Sequence, residues 1–336
     1  MTHKGRIVIA GDAGYIGSHV VLQLPEAGEH VVVLDDLSAG FRDAVIGAEF
    51  VVGDVGDRPL VKKLLRKHAI DAVMHFAVHT IVSESVAGQL HHYDNNTCAA
   101  CNLPECCRDV GVDQAVFSSI DAIYGAPESG KASEESLTAS INPYGASKLM
   151  SERMLRDLAS AGGPRYVVLR YFDVAGCNSR PRIGQSTKNA TLFVRTAGEV
   201  ALGKRTQLSI FGADYDTPGG TGVRDYIHVE DLALAHVDEL NSLREGRASV
   251  TLNCGYGHGY SALEILAAND RAHDAPVPFV EQSRRVGDLP SLIAIADKIR
   301  NVLRWMPRHD DLDFIVRTSL VWERMLMDRN ASMDAA

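Results

Sequence analysis

Short apolar runs alternate with segments whose apolar residues recur at helical spacing through the first half of the chain. The runs are rich in β-branched residues, a pattern that is typical of strands buried on both faces of a parallel sheet. Strand–helix alternation at this pitch predicts an α/β fold with a doubly wound parallel sheet. The predicted strands are 6–11, 30–36, 49–55, 71–77, 114–120 and 165–176, and the predicted helices lie near 14–27, 57–68, 88–110 and 142–161.

The alternation loosens after about residue 177. The Gly/Asp/Pro-rich stretch FGADYDTPGGTG (211–222) predicts a loop. We expect one domain over 1–177 and a smaller α/β domain over 178–336, with some segments of the second returning to the first. The elements expected in the second half are a helix at 230–243, a strand at 249–255, a helix at 261–271, an arginine-containing loop at 281–290 and two closing helical pieces.

Pro25 and Pro104 fall inside predicted helices. A proline in a helix interior lacks the N–H that the helix needs and costs about 3 kcal/mol. Each of these helices therefore ends at its proline, kinks there or carries strain, and the sequence leaves these outcomes open.

Composition and charge exclude several classes of function. Apolar residues make up 46% and charged residues 23% of the 336 residues, as in ordinary globular proteins. The formal net charge of −9 argues against nucleic-acid binding, which usually needs a basic face. No run of about 18 or more apolar residues predicts a membrane span, and the start lacks the pattern of a secretory signal. We therefore expect a cytoplasmic protein that binds neither nucleic acid nor membranes.

Four of the six cysteines crowd into the segment TCAACNLPECC. Its C-x-x-C spacing suggests either a metal or redox site, or small thiols buried along a helix. No second C-x-x-C and no histidine pair at zinc-finger spacing follows, so the buried thiols are favoured and no metal site is expected. We expect these thiols to be reduced, because no secretory signal is present.

Gly11, Gly14 and Gly17 form a G-x-x-G-x-x-G pattern between the first predicted strand and its helix. Glycine permits the tight turn and lets a pyrophosphate approach the helix N-terminus, although a merely tight turn is the competing interpretation. Asp35 ends the second strand 18 residues after Gly17, where an acid accepts hydrogen bonds from ribose hydroxyls and repels a 2′-phosphate. Asp12 brings negative charge into the loop, and we expect it to point outward. The pattern predicts a Rossmann-type NAD site with the candidate residues Gly11, Gly14, Tyr15, Ile16, Gly17, Asp35, Asp36, Asp54, Val55, Phe76 and Ala77.

Tyr144 and Lys148 lie four positions apart in NPYGASK (142–148), at the start of a predicted helix, and therefore share one helix face. A free phenol has a pKa near about 10 and is a poor base at neutral pH. A neighbouring ammonium, together with a positive nicotinamide ring, stabilises the phenolate and makes it a usable base. The competing interpretation is a surface Tyr–Lys pair on a solvated helix, and the dinucleotide pattern upstream favours the catalytic one.

This combination resembles the extended branch of the short-chain dehydrogenase/reductase family. The resemblance spans nearly the whole chain. Within that branch the chain is similar to the UDP-hexose 4-epimerases, and the matching segments come in the same order. These segments are GDAGYIGSH, VVVLDDLSAG, VMHFA, VSESV, YDNNT, INPYGASKLMSE, LRYFDVAG, VRDYIHVEDLALAH, TLNCGYGHGYS and RRVGD.

The resemblance implies an NAD-dependent interconversion of UDP-glucose and UDP-galactose by a homodimer. Tyr144 as phenolate takes the proton of the sugar 4-hydroxyl while C4 gives its hydride to NAD, the 4-keto sugar turns over, and the hydride returns to the opposite face. Lys148 is then expected to hold the ribose and tune Tyr144. Asn95 and Phe172 are expected to contact the cofactor or its surroundings, and the implied substrate residues are Asp173, Arg224, Arg285 and Asp288. The two arginines suit this task because a guanidinium pairs bidentately with phosphate oxygens.

Three positions depart from the family's pattern. Ile120 stands where the family has a serine or threonine that bridges the sugar hydroxyl and the tyrosine, and losing such a contact costs on the order of 10²–10⁴ in rate. Ser119 is expected to face the other side of the strand. Asp173 replaces an asparagine, and Leu192 replaces a polar residue that meets the substrate. Leu292 lies near the position that gates the family's pocket.

These departures leave three hypotheses. The first is a working epimerase whose activity is reduced. The second is another nucleotide-sugar epimerase or a 4,6-dehydratase, although only Asp121 of the dehydratases' T-D-E pattern is present and Ala122 lacks the base for elimination. The third is a catalytically impaired NAD-binding homologue that acts as a sensor or partner module.

Overall fold

A computed structural model of the chain describes residues 5–77, 90, 93–187, 191–285 and 287–334. The motif VSESV (82–86) and part of the predicted helix 88–110 lie outside these residues. None of the described helices combines the length and the apolar character that crossing a membrane requires.

The strands, numbered along the chain, account for both the central sheet and three smaller sheets. They are β1 (Arg6–Ala10), β2 (His30–Asp35), β3 (Glu49–Val52), β4 (Ala72–His75), β5 (Gln114–Ile120), β6 (Lys131–Ala132), β7 (Arg165–Tyr171), β8 (Asp173–Ala175), β9 (Leu208–Phe211), β10 (Val223–Arg224), β11 (Tyr226–His228), β12 (Val250–Cys254), β13 (Tyr260–Ser261), β14 (Phe279–Gln282) and β15 (Ser291–Ala294).

The central sheet of the described chain has the strand order β12-β7-β5-β4-β1-β2-β3, and every neighbouring pair is parallel. The predicted fold class is therefore confirmed. Its physical origin is the run of branched apolar residues in strands such as β2, where only the first residue is exposed. The order reverses between β1 and β4, and the crevice at such a reversal is where parallel sheets bind ligands.

The described helices pack on both faces of this sheet and against the smaller sheets. They are α1 (Tyr15–Glu26), α2 (Arg58–Lys67), α3 (Ala100–Val110), α4 (Pro143–Ser160), α5 (Phe193–Ala201), α6 (Val229–Arg244), α7 (Ala262–His273), α8 (Asp297–Leu303) and α9 (Leu312–Asp334). A π-helical segment, Asp94–Ala99, leads directly into α3.

The two prolines behave differently. α1 ends one residue after Pro25, so this proline removes a hydrogen bond only in the last turn of the helix. α3 continues through Pro104 to Val110 and then stops at Gly111, which adopts a left-handed conformation with φ 84°. Pro104 therefore sits inside an unbroken helix, one turn beyond the π-helical segment.

The cysteine-rich segment forms a helix, as the favoured interpretation expects. Cys106 and Cys107 on α3 are fully buried, whereas Cys98 in the π-helical segment is exposed. Burial raises the pKa of Cys107 well above that of an ordinary thiol and raises the pKa of Cys101 to about 11. These thiols are weak nucleophiles and weak metal ligands, because both roles require the thiolate.

Part of the chain's second half lies on the central sheet. β12 pairs with β7 in parallel, with Cys254 opposite Tyr171. α6 packs against α1 and against β5 and β7. The boundary at residue 177 remains a prediction, but these contacts agree with the expectation that later segments return to the first domain.

Glu239 on α6 is a fully buried carboxyl group whose two oxygens lack hydrogen-bond partners. Burial, followed by the charge of Asp238, raises the pKa of Glu239 well above its ordinary value. The folded protein therefore keeps the Glu239 proton at pH values where the unfolded chain, titrating near about 4.3, has lost it. This group's contribution to stability is fully present below the unfolded pKa and is lost as pH rises toward the raised folded pKa.

We expect Glu239→Gln to leave stability nearly unchanged near pH 4.5 and to stabilise the protein increasingly toward pH 8. The difference grows by up to about 1.4 kcal/mol for each pH unit between the unfolded and folded pKa values. Urea unfolding at several pH values measures it, with Glu245→Gln as an exposed control at the end of the same helix. An E239Q advantage that does not vary with pH would contradict this account.

Candidate active site

The glycine loop joins β1 to α1 and leaves the first N–H groups of that helix without a side-chain cap. Gly14 precedes α1, and the first turn carries no acidic residue. Gly11 has φ +85°, and a Cβ there would lie 2.2 Å from backbone atoms of Ala77 at the end of β4. The open helix N-terminus and the close packing of the loop fit a pyrophosphate, because backbone N–H groups and the helix dipole both favour an anion there.

Tyr15 and Ile16 begin α1 directly behind this loop. The Tyr15 hydroxyl donates a hydrogen bond to the carbonyl oxygen of Gly176 at 2.6 Å, which ties α1 to the chain that follows β8. Ile16 is partly buried against the main apolar core. Both side chains thus fix the start of α1, and only their backbone N–H groups face the predicted anion site.

Asp12 is buried beneath the loop, so the expectation that it points outward is wrong. Its side chain is fully buried, and neither carboxyl oxygen has a hydrogen-bond partner. A Cβ on Gly17 would lie 1.8 Å from Asp12 Oδ1, so the third glycine of the pattern makes room for this carboxyl group. Burial, followed by the charge of Asp35, raises the pKa of Asp12 well above its ordinary value.

Asp35 ends β2 and faces the glycine loop. Its Oδ2 accepts a hydrogen bond from the Ala13 N–H at 3.0 Å, and its Oδ1 accepts one from the Leu37 N–H at 2.7 Å. Burial raises the pKa of Asp35, and the two backbone hydrogen bonds oppose that shift. The structure therefore places this acid beside the loop, as the sequence pattern predicts.

The remaining predicted cofactor residues lie at the carboxyl ends of the central strands. Val55 and Phe76 are buried and Ala77 is half-buried, whereas Asp36 and Asp54 are exposed. Each of these two aspartates accepts a hydrogen bond from a backbone N–H two residues further on, which closes a turn.

Asn95 and Phe172 lie farther along the chain. Asn95, in the π-helical segment, donates a hydrogen bond from Nδ2 to Oδ1 of Asn96 at 3.0 Å. Phe172 is buried between β7 and β8, and its N–H donates to the carbonyl oxygen of Cys254. Their predicted contact with the cofactor remains a prediction.

The start of α4 fixes the position of Tyr144. Asn142 Oδ1 accepts a hydrogen bond from the Gly145 N–H at 2.8 Å, and Pro143 occupies the first helical position. A Cβ on Gly145 would lie 2.5 Å from the carbonyl oxygen of Ala122, so the first turn of α4 packs on the chain just after β5. Tyr144 is consequently buried at the carboxyl edge of the sheet rather than lying on a solvated helix face.

Lys148 lies one turn further along α4 and is fully buried. Its Nζ donates a hydrogen bond to the carbonyl oxygen of Ser118 at 2.5 Å and lies 4.9 Å from the centroid of the Phe117 ring. Burial lowers the pKa of Lys148 to about 7, and the charge of Glu152 opposes that shift.

The protein groups alone hold Tyr144 as a neutral phenol. Burial, followed by the charges of Tyr171 and Asp121, raises the pKa of Tyr144 well above its ordinary value. Lys148 by itself therefore does not bring this phenol toward ionisation, and the expected effect of the lysine together with a nicotinamide ring remains a prediction. A further positive charge near the phenol is needed for it to act as a base.

Asp121, Asp173 and Arg224 form a charged cluster close to Tyr144. Burial, followed by the charge of Asp173, raises the pKa of Asp121 well above its ordinary value, and the Arg224 guanidinium opposes the shift. Burial also raises the pKa of Asp173, again opposed by Arg224. The sequence pointed to Asp121 only as part of the dehydratase pattern. Its position directly after a buried strand, the signal that was applied to Asp54, could have found it.

Arg285 and Asp288 pair with each other on the loop between β14 and β15. Arg285 Nε donates to Asp288 Oδ2 at 2.8 Å, and the guanidinium lies 4.4 Å from the centroid of the Phe211 ring. The Arg285 side chain is 61% exposed. The predicted substrate residues thus form two groups, one around Arg224 and one on this loop.

The two apolar departures from the family pattern, and the leucine near the gating position, pack as apolar residues should. Ile120 and Leu192 are half-buried against the main core, and Leu292 on β15 is buried directly opposite Arg224. Ser119, as expected, faces the other side of β5, where its hydroxyl donates to Glu152 Oε1 at 2.5 Å. Ser119 is therefore not placed to replace a hydroxyl at position 120.

His228, Glu230 and His309 form a second polar cluster, with one side-chain ligand atom of each within 4.8 Å of the others. His228 Nδ1 accepts a hydrogen bond from the Glu230 N–H, and its Nε2 lies 3.2 Å from Thr318 Oγ1. Both ring nitrogens of His228 are thus engaged, and two remaining ligands are fewer than a zinc site uses.

Residues 7–255 match the model of the NAD dependent epimerase/dehydratase family. The chain belongs to this family. It is 51% identical over 322 residues to a UDP-glucose 4-epimerase from Azospirillum brasilense, a match that covers 96% of this chain and 92% of that protein. The resemblance found in the sequence is thereby confirmed.

Solved structures of this epimerase/dehydratase family have the same fold. A UDP-glucose 4-epimerase from Brucella ovis in complex with NAD matches with a TM-score of 0.92 and 38% identity, over 94% of this chain and 98% of that one. One from Stenotrophomonas maltophila, with bound NAD and formylated UDP-arabinopyranose, matches with a TM-score of 0.93 and 37% identity, over 97% of this chain and 99% of that one.

Proposed function

We propose that this chain is an NAD-dependent epimerase that interconverts UDP-glucose and UDP-galactose. The observation that carries the proposal is the burial of Tyr144 and Lys148 on one helix face, at the carboxyl edge of a sheet that also presents the glycine loop. The relatives named above, which are UDP-glucose 4-epimerases, support the same activity.

The cofactor proposed for this site is NAD. The N-terminus of α1 would hold the pyrophosphate, and Asp35 would accept hydrogen bonds from the adenosine ribose. An acid at Asp35 disfavours a 2′-phosphate and hence NADP. When bound, oxidised NAD takes up and returns the hydride of sugar C4 and supplies the positive charge that lowers the phenol's pKa.

Tyr144 would handle the proton of the reaction. In the oxidising direction its phenolate oxygen accepts the proton of the sugar 4-hydroxyl, and in the reducing direction the phenol returns it to the carbonyl oxygen. Lys148, with its ammonium anchored on Ser118, would stay close enough to stabilise the phenolate and hold the ribose. The low exposure of both side chains excludes water, which strengthens these electrostatic interactions.

The uridine diphosphate would bind between Arg224 and the loop that carries Arg285 and Asp288. Arg285 is exposed, and its contacts within the described part of the chain are a neighbouring carboxylate and the Phe211 ring, so it can turn toward a phosphate at little cost. Asp173 lies beside Arg224, where its raised pKa limits repulsion of the substrate's phosphates.

One experiment tests the proposal. Purified protein is examined for bound NAD by absorbance, and UDP-galactose is then followed by NMR. We expect retained NAD and appearance of UDP-glucose. Bound NAD without conversion of UDP-galactose would contradict the proposed enzymatic activity and would favour the alternative, an NAD-binding module.

Asp12 makes the proposed NAD affinity depend on pH. As pH rises through the raised pKa of Asp12, a buried negative charge forms beneath the pyrophosphate site and repels it. We expect wild-type affinity for NAD to be lower at pH 9 than at pH 6, because rising pH moves Asp12 toward its charged form, which repels the phosphates. Asp12→Asn removes this fall. Calorimetric titration at both pH values measures it, with the exposed Asp274→Asn as control; equal pH dependence of D12N and wild type would refute the idea.

We also propose a homodimer joined through α4. Ala146, Met150, Met154 and Leu158 recur every fourth residue on this helix, none of them is fully buried, and Met150 is 45% exposed. Such a stripe is typical of helix pairing between subunits. Light scattering should give the mass of two chains for the wild type and of one for Met150→Glu, whereas a wild-type monomer would rule the dimer out.

We further propose that the protein acts in the cytoplasm as a soluble enzyme. Its six cysteines are all unpaired thiols, which fits a reducing compartment. Cell fractionation followed by detection of the chain tests this location.

A further inference from the structure

Asp121 and Asp173 lie at the carboxyl ends of two neighbouring parallel strands. The last paired residues of β5 and β7 are Ile120 and Tyr171, and the two aspartates follow them by one and two residues. Parallel strands that end at the same level deliver the next side chains to one edge of the sheet. The two carboxyl groups therefore meet at the edge where α4 places Tyr144.

Several charged or titratable groups face Asp121 from the surrounding elements. They are Asp173 on β8, Arg224 on β10, Asp225 before β11, Tyr144 on α4 and Tyr171 on β7. Arg224 is the cation among them, and it also faces Asp173. One guanidinium does not compensate two carboxylates, one of them buried and the other half-buried, so we infer that at least one carboxyl group keeps its proton.

Of the two carboxyl groups, Asp121 is the more deeply buried, and burial therefore favours the proton on Asp121. It is 9% exposed, and its pKa is raised well above the ordinary value chiefly by that burial. A neutral carboxylic acid has an O–H donor, which Ile120, the residue before it, lacks. β5 ends at Ile120 and Asp121 begins a short 3-10 helix, so the alternation that turns Ser119 away does not extend to Asp121. The strand end close to Tyr144 thus carries a hydrogen-bond donor one residue further along.

We propose that Asp121 is a catalytic residue of this enzyme, a carboxylic acid whose O–H donates a hydrogen bond to the sugar oxygen that exchanges its proton with Tyr144. This inference rests on the proposed function and assigns a further group to its site.

The proton and electron balance is simple. In the oxidising half-reaction the 4-hydroxyl proton would move to Tyr144. The hydrogen on C4 would leave with the electron pair of the C4–H bond, as a hydride that bound NAD takes up. In the reducing half-reaction the hydride returns to C4, and the proton returns from Tyr144 to the carbonyl oxygen. Asp121 keeps its own proton throughout, and its O–H stabilises the partial negative charge that forms on the sugar 4-oxygen in the transition state.

Substrate binding reinforces this role. A diphosphate bound at Arg224 adds negative charge beside both carboxyl groups and offsets the cation that favours their ionisation. The proton on Asp121 is then held more tightly in the complex than in the free protein.

Three variants test the proposal in the UDP-galactose assay at pH 6 and pH 9. We expect Asp121→Ala to lower kcat by on the order of 10²–10³, as removal of one donor to a developing oxyanion does. Asp121→Asn should stay within about tenfold of wild type at pH 6, because an amide also donates. Its activity should also fall less toward pH 9 than that of the wild type, because an amide cannot ionise, whereas Lys148 loses its charge with rising pH in both proteins. Ile120→Thr combined with Asp121→Ala should recover at least about tenfold over D121A, because it places a hydroxyl at the same strand end.

Bound NAD and the unfolding midpoint are measured on every variant, with the exposed Asp157→Ala on α4 as control. Unchanged kcat in D121A, an Asn variant as slow as the Ala variant, or a slow D121A that threonine does not rescue each overturn the proposal. In those cases wild-type conversion continues and the proposed function stands. A wild-type chain that retains NAD without converting UDP-galactose overturns both.

Discussion

Replacing Tyr144 by phenylalanine is expected to lower kcat for UDP-galactose by on the order of 10²–10⁴, the range for loss of a positioned proton-transfer group. The ring stays in place, because Tyr144 is buried in the first turn of α4, which Asn142 caps independently of the hydroxyl. NAD binding should therefore persist, and the loss should fall on kcat rather than KM.

The measurement is steady-state conversion of UDP-galactose together with the absorbance of bound NAD. Tyr166→Phe is a matched control, because Tyr166 is a buried tyrosine near the start of β7, away from the carboxyl edge of the sheet where Tyr144 lies. A Y144F variant that keeps more than a tenth of wild-type kcat would mean that another group moves the proton.

The second large effect is expected on the stability of the fold, from a buried ion pair between β7 and α4. Arg170 on β7 and Glu152 on α4 are both 7% exposed, and Arg170 Nη2 donates to Glu152 Oε2 at 2.6 Å. The same carboxylate accepts from the Ser119 hydroxyl. Its charge also opposes the lowering of the Lys148 pKa, so it connects the pair to the helix face that carries Tyr144 and Lys148.

We expect Arg170→Met to lower the free energy of unfolding by about 3–5 kcal/mol, because it leaves Glu152 buried without its cation. Combining it with Glu152→Met should restore part of that loss, since removing both charges is far less costly than removing one. Denaturant unfolding measures both variants, and Arg156→Met on the exposed face of α4 is the control. A loss below about 1 kcal/mol in R170M would show that the pair contributes little.

Some features could be predicted from the sequence because they depend on neighbours along the chain. Strand β2 and helix α4 were predicted within two residues of their observed ends, since apolar period and the Asn-Pro start are local signals. The glycine loop and Asp35 were likewise found from spacing within one strand–helix–strand unit.

Other features depend on which distant residues surround a group. Nothing near Asp12 in the sequence indicates that α1 and Asp35 enclose it, and nothing near Asp121 indicates that Asp173 and Arg224 face it. Burial also raises the pKa of Tyr144 in the protein without cofactor, an effect of surroundings that the sequence does not show. The predicted stabilisation of its phenolate by Lys148 together with a nicotinamide ring remains a prediction.

The sequence by itself thus determined the parallel α/β architecture, the glycine loop and the Tyr144–Lys148 pair, because these features follow from periodicity and from short spacings along the chain. Only the tertiary structure decided which carboxyl groups are buried, which of them share Arg224 and which way the pKa values move. The physical reason is that desolvation and charge interactions act through space, among side chains that folding brings together from distant parts of the chain.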